Sequence, residues 1–214
     1  MTTASLTSQM YQIANNTAKY EGGWNNARGR QGQGRQLFEN GDSYEGEFAD
    51  NVFSGEGVYR FADGSEYKGS FANGLFDGPG ELKLVRETGV DVYTGTFKAG
   101  QREGKFVVHY ASGATFEGSF HKDRKFEGVL KKGNMEFKGR FANNRFEGRG
   151  EYTCPEFSFK GTFKAHMRAG KGVEKAKEFT YKGMFEENTA SGKGSYECEK
   201  GKLRCAWVAG VAQE

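Results

Sequence analysis

The sequence has few residues that stiffen the backbone or cross-link it, and no long apolar run that would span a membrane. Its 214 residues include only two prolines and three cysteines. No apolar run approaches the roughly 18 residues that a membrane-spanning helix requires. The cysteines, Cys154, Cys198 and Cys205, are odd in number and lack paired spacing, so we expect free thiols in a reducing compartment. Because the N-terminal residues also lack the basic start and long apolar centre of a secretory signal, we expect a soluble, cytoplasmic protein.

Apolar residues are also scarce. They make up 36% of the chain, and the mean hydropathy is −0.78. Such values are typical of disordered chains, but those chains are poor in aromatic residues. This chain has 33 glycines and 19 phenylalanines. Rings and glycines at fixed spacing therefore predict an ordered structure.

A short phrase, aromatic-x-Gly-x-aromatic, recurs eight times along the chain. It starts at residues 20, 44, 67, 93, 116, 137, 159 and 181. A second phrase, Gly-x-Gly, follows each first aromatic residue by 11 or 12 positions. Repeats four and five keep a single glycine, Gly104 and Gly128, which we interpret as the first of the pair. Repetition at this period predicts a stack of similar structural units.

Alternation within each phrase predicts β-strands. In a strand, every second residue lies on the same face, so Tyr44, Gly46 and Phe48 share one face and two glutamates share the other. A glycine between two rings leaves a gap in which a ring from a neighbouring strand can lie. Burial of such rings offsets the conformational cost of the glycines. The predicted repeat core is exemplified by Tyr44, Gly46, Phe48, Gly55, Gly57, Tyr67, Gly69, Phe71, Gly78 and Gly80.

Each unit is therefore a β-hairpin, and a lone hairpin cannot bury its apolar face. Stacking of neighbours predicts an all-β fold, an elongated single-layer solenoid of antiparallel hairpins. The predicted organisation is an N-terminal segment over 1–19, eight repeats over 20–200, and a C-terminal capping strand and tail over 201–214.

These phrases resemble the MORN repeat (membrane occupation and recognition nexus), over residues 20 to about 200. Phe usually replaces the Trp that is common at the fifth position of the family's phrase. The resemblance implies a non-catalytic scaffold or protein-interaction protein of the cytoskeleton, in cilia, flagellar axonemes, radial spokes or related assemblies. It also implies protein partners, and several family members dimerise through their repeats. The alternative is a peripheral membrane module that binds anionic phosphoinositides through the C-terminal half.

Charge is unevenly distributed along the chain. Residues 1–92 hold 8 Lys or Arg and 13 Asp or Glu, whereas residues 93–214 hold 23 and 15. This opposition favours an antiparallel homodimer, with the acidic end of one copy against the basic end of the other. The basic residues around repeats five and six form a candidate partner-binding patch, the alternative being an ordinary solvated surface. The patch consists of Lys122, Arg124, Lys125, Lys131, Lys132, Lys138, Arg140, Arg145 and Arg149.

The two ends differ from the repeats. Leu6, Met10, Ile13 and Ala14 fall on one helical face, which predicts a cap over the first hairpin or a frayed tail, the alternative being a partner-docking helix. Near the C-terminus, Trp207 either caps the last aromatic layer or anchors a partner.

Signatures of catalysis or cofactor binding are not evident in the sequence. The three histidines lie in different repeats without zinc-ligand spacing. The segment Arg168–Gly172 lacks the first glycine and the Ser/Thr of a phosphate-binding loop. The net charge of +3 is small for a nucleic-acid-binding protein. We therefore expect no cofactor, no nucleic acid and no enzymatic activity.

Overall fold

A computed structural model describes residues 17–208 and 210–213. These residues form 18 β-strands and contain no helix. The prediction of an all-β, single-layer stack of antiparallel hairpins is therefore confirmed for them. The predicted N-terminal helix lies outside the described residues. The strands fall into two compact units, one containing residues up to Gly113 together with Ser119–Asp123, the other containing Ala114–Gly118 and the residues from Arg124 onward.

The first unit contains eight complete strands and part of a ninth. Each of the first seven pairs antiparallel with the next along the chain. The strands are β1 (Thr17–Asn25), β2 (Gly29–Phe38), β3 (Ser43–Ala49), β4 (Val52–Arg60), β5 (Glu66–Ala72), β6 (Leu75–Arg86), β7 (Gly89–Lys98), β8 (Gln101–His109) and β9 (Thr115–His121), which both units share.

The second unit continues the pattern from β10 to β18, again with antiparallel pairing of successive strands. Its strands are β10 (Arg124–Lys132), β11 (Met135–Ala142), β12 (Arg145–Thr153), β13 (Phe157–Lys164), β14 (Met167–Ala176), β15 (Phe179–Glu186), β16 (Thr189–Cys198), β17 (Gly201–Val208) and β18 (Val211–Gln213).

The glycines of the repeat accommodate a buried ring. Gly46 of β3 pairs directly with Gly57 of β4. The ring of Tyr44 lies over both, since a Cβ at Gly57 would meet the Tyr44 Oη at 2.5 Å. The prediction that a ring from a neighbouring strand lies over the glycine between two rings is wrong at Gly46, because the ring there is Tyr44 of the same strand. The same ring also covers Gly57 of the neighbouring strand. Any side chain larger than hydrogen would displace it.

Rings stack in layers on this face of the sheet, which we call the aromatic face. Tyr44 packs flat on Phe53 with 3.9 Å between ring centroids, and meets Phe48 and Phe71 edge-on at 5.1 and 5.0 Å. In the second unit Phe137 repeats the flat contact with Phe146 at 3.7 Å. Both T-shaped and offset contacts of this kind are favourable for aromatic pairs. Ring contacts therefore join successive repeats in addition to the pairing of their strands.

The first glycine of each Gly-x-Gly forms a β-bulge. Gly55 has φ +58° and lies where the register of β3 and β4 shifts. This left-handed conformation costs other residues about 1–2 kcal/mol. The structure corrects our assignment of Gly128 in repeat five. Gly128 pairs with Gly139 as Gly57 pairs with Gly69, so it is the second glycine. In repeat five, the chain between the first aromatic residue and this glycine is one residue shorter than in repeat two. The residue that repeat five lacks is the bulge residue.

Two-residue turns join the two strands within hairpins and tie a repeat to the preceding one. Asp50 and Asn51 both have positive φ, 50° and 71°, as the favoured type I′ hairpin turn requires. The Asn51 amide donates to the Arg30 carbonyl, and its Oδ1 accepts from the Arg30 amide. Asn188 makes the same two bonds to Arg168. The second turn residue thus clamps neighbouring repeats.

His166 occupies this clamp position and should make stability pH-dependent. Its Nδ1 accepts from the Phe146 amide at 3.3 Å. Burial, aided by the charges of Arg145 and Lys125, lowers the pKa of His166. The unfolded chain therefore binds the proton more readily, and the free energy of unfolding falls as pH drops below about 6.5. We expect a loss of less than about 1 kcal/mol, because the side chain is solvent-exposed.

The variant His166→Asn tests this expectation, since an amide oxygen accepts the same bond without titrating. Urea unfolding between about pH 5 and 7 should show a shallower pH dependence for the variant than for the parent chain. Parallel stability curves for the two proteins would contradict the role assigned to His166.

Trp207 packs against the last aromatic layer of the second unit. Its ring centroid lies 5.2 Å from that of Tyr181 and 6.5 Å from that of Tyr196. This contact is the one expected of a cap rather than of an exposed anchor.

Candidate functional site

In seven of the eight repeats, one position in the second strand holds either a ring or a cation; in repeat eight it holds Ala190. In three repeats it is a phenylalanine, such as Phe53, that stacks on the first aromatic residue. In four others it is Arg30, Arg102, Lys125 or Arg168, whose charged group lies over rings of the same layer. Cations over ring faces are attracted by the ring quadrupole. Basic residues at this position therefore belong to the packing of the aromatic face.

The predicted basic patch is accordingly divided. Lys125 lies over the rings of Phe116 and Phe141 on the aromatic face. Arg124 donates to Asn143, Lys131 pairs with Glu136, and Arg140 lies over the Phe126 ring. Lys122 is a turn residue of the first unit, while Lys132 and Arg145 are exposed at strand ends. Two members, Lys138 and Arg149, lie together at a groove.

That groove runs along the face opposite the rings, which we call the polar face. It has a volume of about 610 Å³ between β10 and β14. A second recess of about 440 Å³ continues it to β16, sharing Lys160 and Lys171. Gly139, Gly150 and Gly161 line it at mid-strand, where the backbone itself is accessible.

Six exposed cations lie along the polar face, one on each strand from β11 to β16, and all except Lys182 line the groove or its continuation. Three come from the aromatic-x-Gly phrase and three from the Gly-x-Gly phrase, and each set steps by 22 residues. We call this set the cation ladder; it consists of Lys138, Arg149, Lys160, Lys171, Lys182 and Lys193. Sequence reasoning missed four of the six, because it grouped charges by proximity along the chain. The repeat of Lys or Arg at one register position was the available signal.

Acidic residues are few along the cation ladder. Glu127 and Glu151 line the groove, and Glu151 forms an ion pair with Lys160. The hydrogen bond and charge of Lys160 lower the pKa of Glu151, with a smaller effect from Lys138. The corresponding positions in the first unit are mostly acidic or neutral, for example Glu45 and Glu56. The basic polar face is therefore a property of the second unit.

The sequence matches the family model of the MORN repeat at seven stretches: residues 20–43, 44–66, 67–85, 93–115, 137–157, 159–176 and 181–202. The chain belongs to the MORN repeat family. The MORN match passes over repeat five, where the structure shows the missing bulge residue. Comparison with curated proteins finds no significant match.

The described residues of this MORN protein contain no group of three His, Cys, Asp or Glu side chains that could hold a metal ion. Nor do these residues include a helix long and apolar enough to cross a membrane. The groove with its cation ladder is thus the best-defined candidate site in the described chain.

Proposed function

We propose that this MORN protein is a non-catalytic scaffold of the cytoskeleton, in a ciliary or flagellar axoneme or a related assembly. MORN repeats support a structural or interaction role in general. The observation that carries the proposal is the difference between the two faces of the second unit. Rings pack on the aromatic face, whereas the polar face carries the cation ladder, with one cation on each strand from β11 to β16. Such a surface offers the same contact several times to an extended partner.

Cellular fractionation tests this location. The tagged protein should remain with the detergent-insoluble cytoskeleton, and proximity labelling should recover cytoskeletal or axonemal neighbours. Recovery of the protein entirely in the detergent-soluble fraction would reject the proposal.

Sedimentation equilibrium at micromolar concentration would test the predicted antiparallel homodimer, which a monomeric mass would rule out.

The alternative function is peripheral binding to phosphoinositide membranes. The cation ladder favours it to the extent that basic residues attract anionic headgroups. Co-sedimentation with vesicles that persists at physiological salt is the result this alternative requires.

A further inference from the structure

We propose that the cation ladder and its groove bind an acidic, extended polypeptide segment that lies across strands β11 to β16. The inference rests on the proposed scaffold function and assigns the partner's chemistry. The site lies wholly within the second unit and differs from the basic patch suggested by sequence, because four of its six cations, Lys160, Lys171, Lys182 and Lys193, lie beyond residue 149.

Charge is the first support for this occupant. Among the described residues, Arg149, Lys171, Lys182 and Lys193 have no carboxylate within ion-pair distance, and all four are exposed. Like charges held along one face repel one another. A partner that carries carboxylates relieves this repulsion, and the two acidic groove residues, Glu127 and Glu151, offset little of it.

Spacing is the second support. Adjacent strands are about 4.8 Å apart, so six strands span roughly 24 Å and present a cation at each step. The cations alternate between two rows, since those of β11, β13 and β15 lie two residues out of register with those of β12, β14 and β16. An extended peptide advances about 3.4 Å per residue and points successive side chains to opposite sides. About seven residues with carboxylates on both sides would match the two rows.

The shape of the groove separates this occupant from other polyanions. Exposed backbone at Gly139, Gly150 and Gly161 forms its floor, which a partner's main chain can approach, whereas a flat bilayer surface would contact the long side chains at its border. The residues that line the two recesses include no aromatic side chain within the described chain. Proteins that bind single-stranded nucleic acid stack bases on such rings. An acidic protein segment therefore fits better than a nucleic acid or a membrane.

Fluorescence anisotropy with a labelled ten-residue glutamate-rich peptide tests the proposal, with a glutamine analogue as the uncharged probe. We expect saturable binding of the glutamate peptide at physiological salt and none of the analogue. The triple variant Arg149→Glu, Lys171→Glu, Lys193→Glu should bind at least about tenfold more weakly, because it replaces three of the six cations with charges that repel an acidic peptide. The corresponding triple Gln variant, which disturbs the fold less, should weaken binding in the same direction.

A matched control reverses three exposed lysines of the same unit that lie off the ladder: Lys164→Glu, Lys177→Glu, Lys200→Glu. It has the same net charge as the first variant and should bind within about twofold of the parent chain. Circular dichroism checks that each variant is folded.

Three results would overturn the proposal. The first is no binding of the glutamate peptide to the parent chain. The second is equal loss of binding in the ladder and control variants. The third is tighter binding, at the same salt, to oligo-thymidine or to phosphatidylcholine vesicles doped with a phosphatidylinositol bisphosphate. Peptide binding without cytoskeletal retention would reject the cellular location alone, whereas retention without peptide binding would reject the groove alone.

Discussion

Replacement of Arg102 by alanine should lower the free energy of unfolding by about 3–5 kcal/mol, as breaking a buried ion pair does. The Arg102 and Asp123 side chains are only 12% and 14% exposed, and Arg102 Nε lies 3.1 Å from Asp123 Oδ1. The guanidinium also lies over the rings of Tyr93 and Phe120, at 4.6 and 4.8 Å. Its loss leaves the Asp123 carboxylate buried without a cation.

Urea denaturation followed by circular dichroism measures this effect. The control is Arg60→Ala, which removes an exposed pair with Glu66 and should cost at most about 1 kcal/mol. The double variant Arg102→Ala, Asp123→Ala should recover part of the loss, because no unpaired charge remains buried. Similar losses for Arg102→Ala and Arg60→Ala would show that burial adds nothing to the first pair.

Phe159→Ala should cost about 3–5 kcal/mol, since it opens a cavity in the aromatic face. Phe159 is 1% exposed and contacts Phe163 and Phe185 edge-on at 5.2 and 4.9 Å.

Gly172→Ala tests the packing of the Phe159 ring by adding a methyl group to the glycine that the ring covers. Its Cβ would lie 2.4 Å from the Phe159 ring, which predicts a loss of about 1–3 kcal/mol from overpacking.

Combining the two substitutions distinguishes ring accommodation from a merely conformational need for glycine. With the ring removed, alanine at 172 has room, so the double variant should be more stable than the sum of the single losses predicts. We expect a coupling of about 0.5–3 kcal/mol, measured by a double-mutant cycle in urea. Strict additivity would mean that Gly172 is required for its backbone and not for the ring.

Period-two alternation and the fixed spacing of rings and glycines were enough to predict the repeats, the antiparallel hairpins and the face that is buried. The layer position shared by Phe53 and Lys125 could not be predicted, because a lysine in a charged segment resembles a surface residue until the ring layer is known. The missing residue in repeat five also led to a wrong prediction. The prediction counted 11 or 12 residues from the first aromatic residue, here Phe116, and the deletion brought the second glycine, Gly128, to that distance.

The candidate site shows the same limit. Lys138 and Arg149 were predicted because they lie near other basic residues in the chain. The other cations of the ladder follow at intervals of 22 residues within each of the two sets, and only strand pairing places them along the same face as Lys138 and Arg149. The pleat and the register of the strands bring these cations together, and the number of charges in one segment of the sequence indicates neither the pleat nor the register.

The bonds between main-chain atoms in the turn clamps within each unit all point the same way: an amide of a later turn donates to a carbonyl of the repeat before it, as Gly74 does to Phe53 and Gly210 to Ala190. The acceptor of each of these bonds is therefore synthesised first. A nascent chain leaving the ribosome could add hairpins one at a time onto a finished template, so that translation order and assembly order coincide.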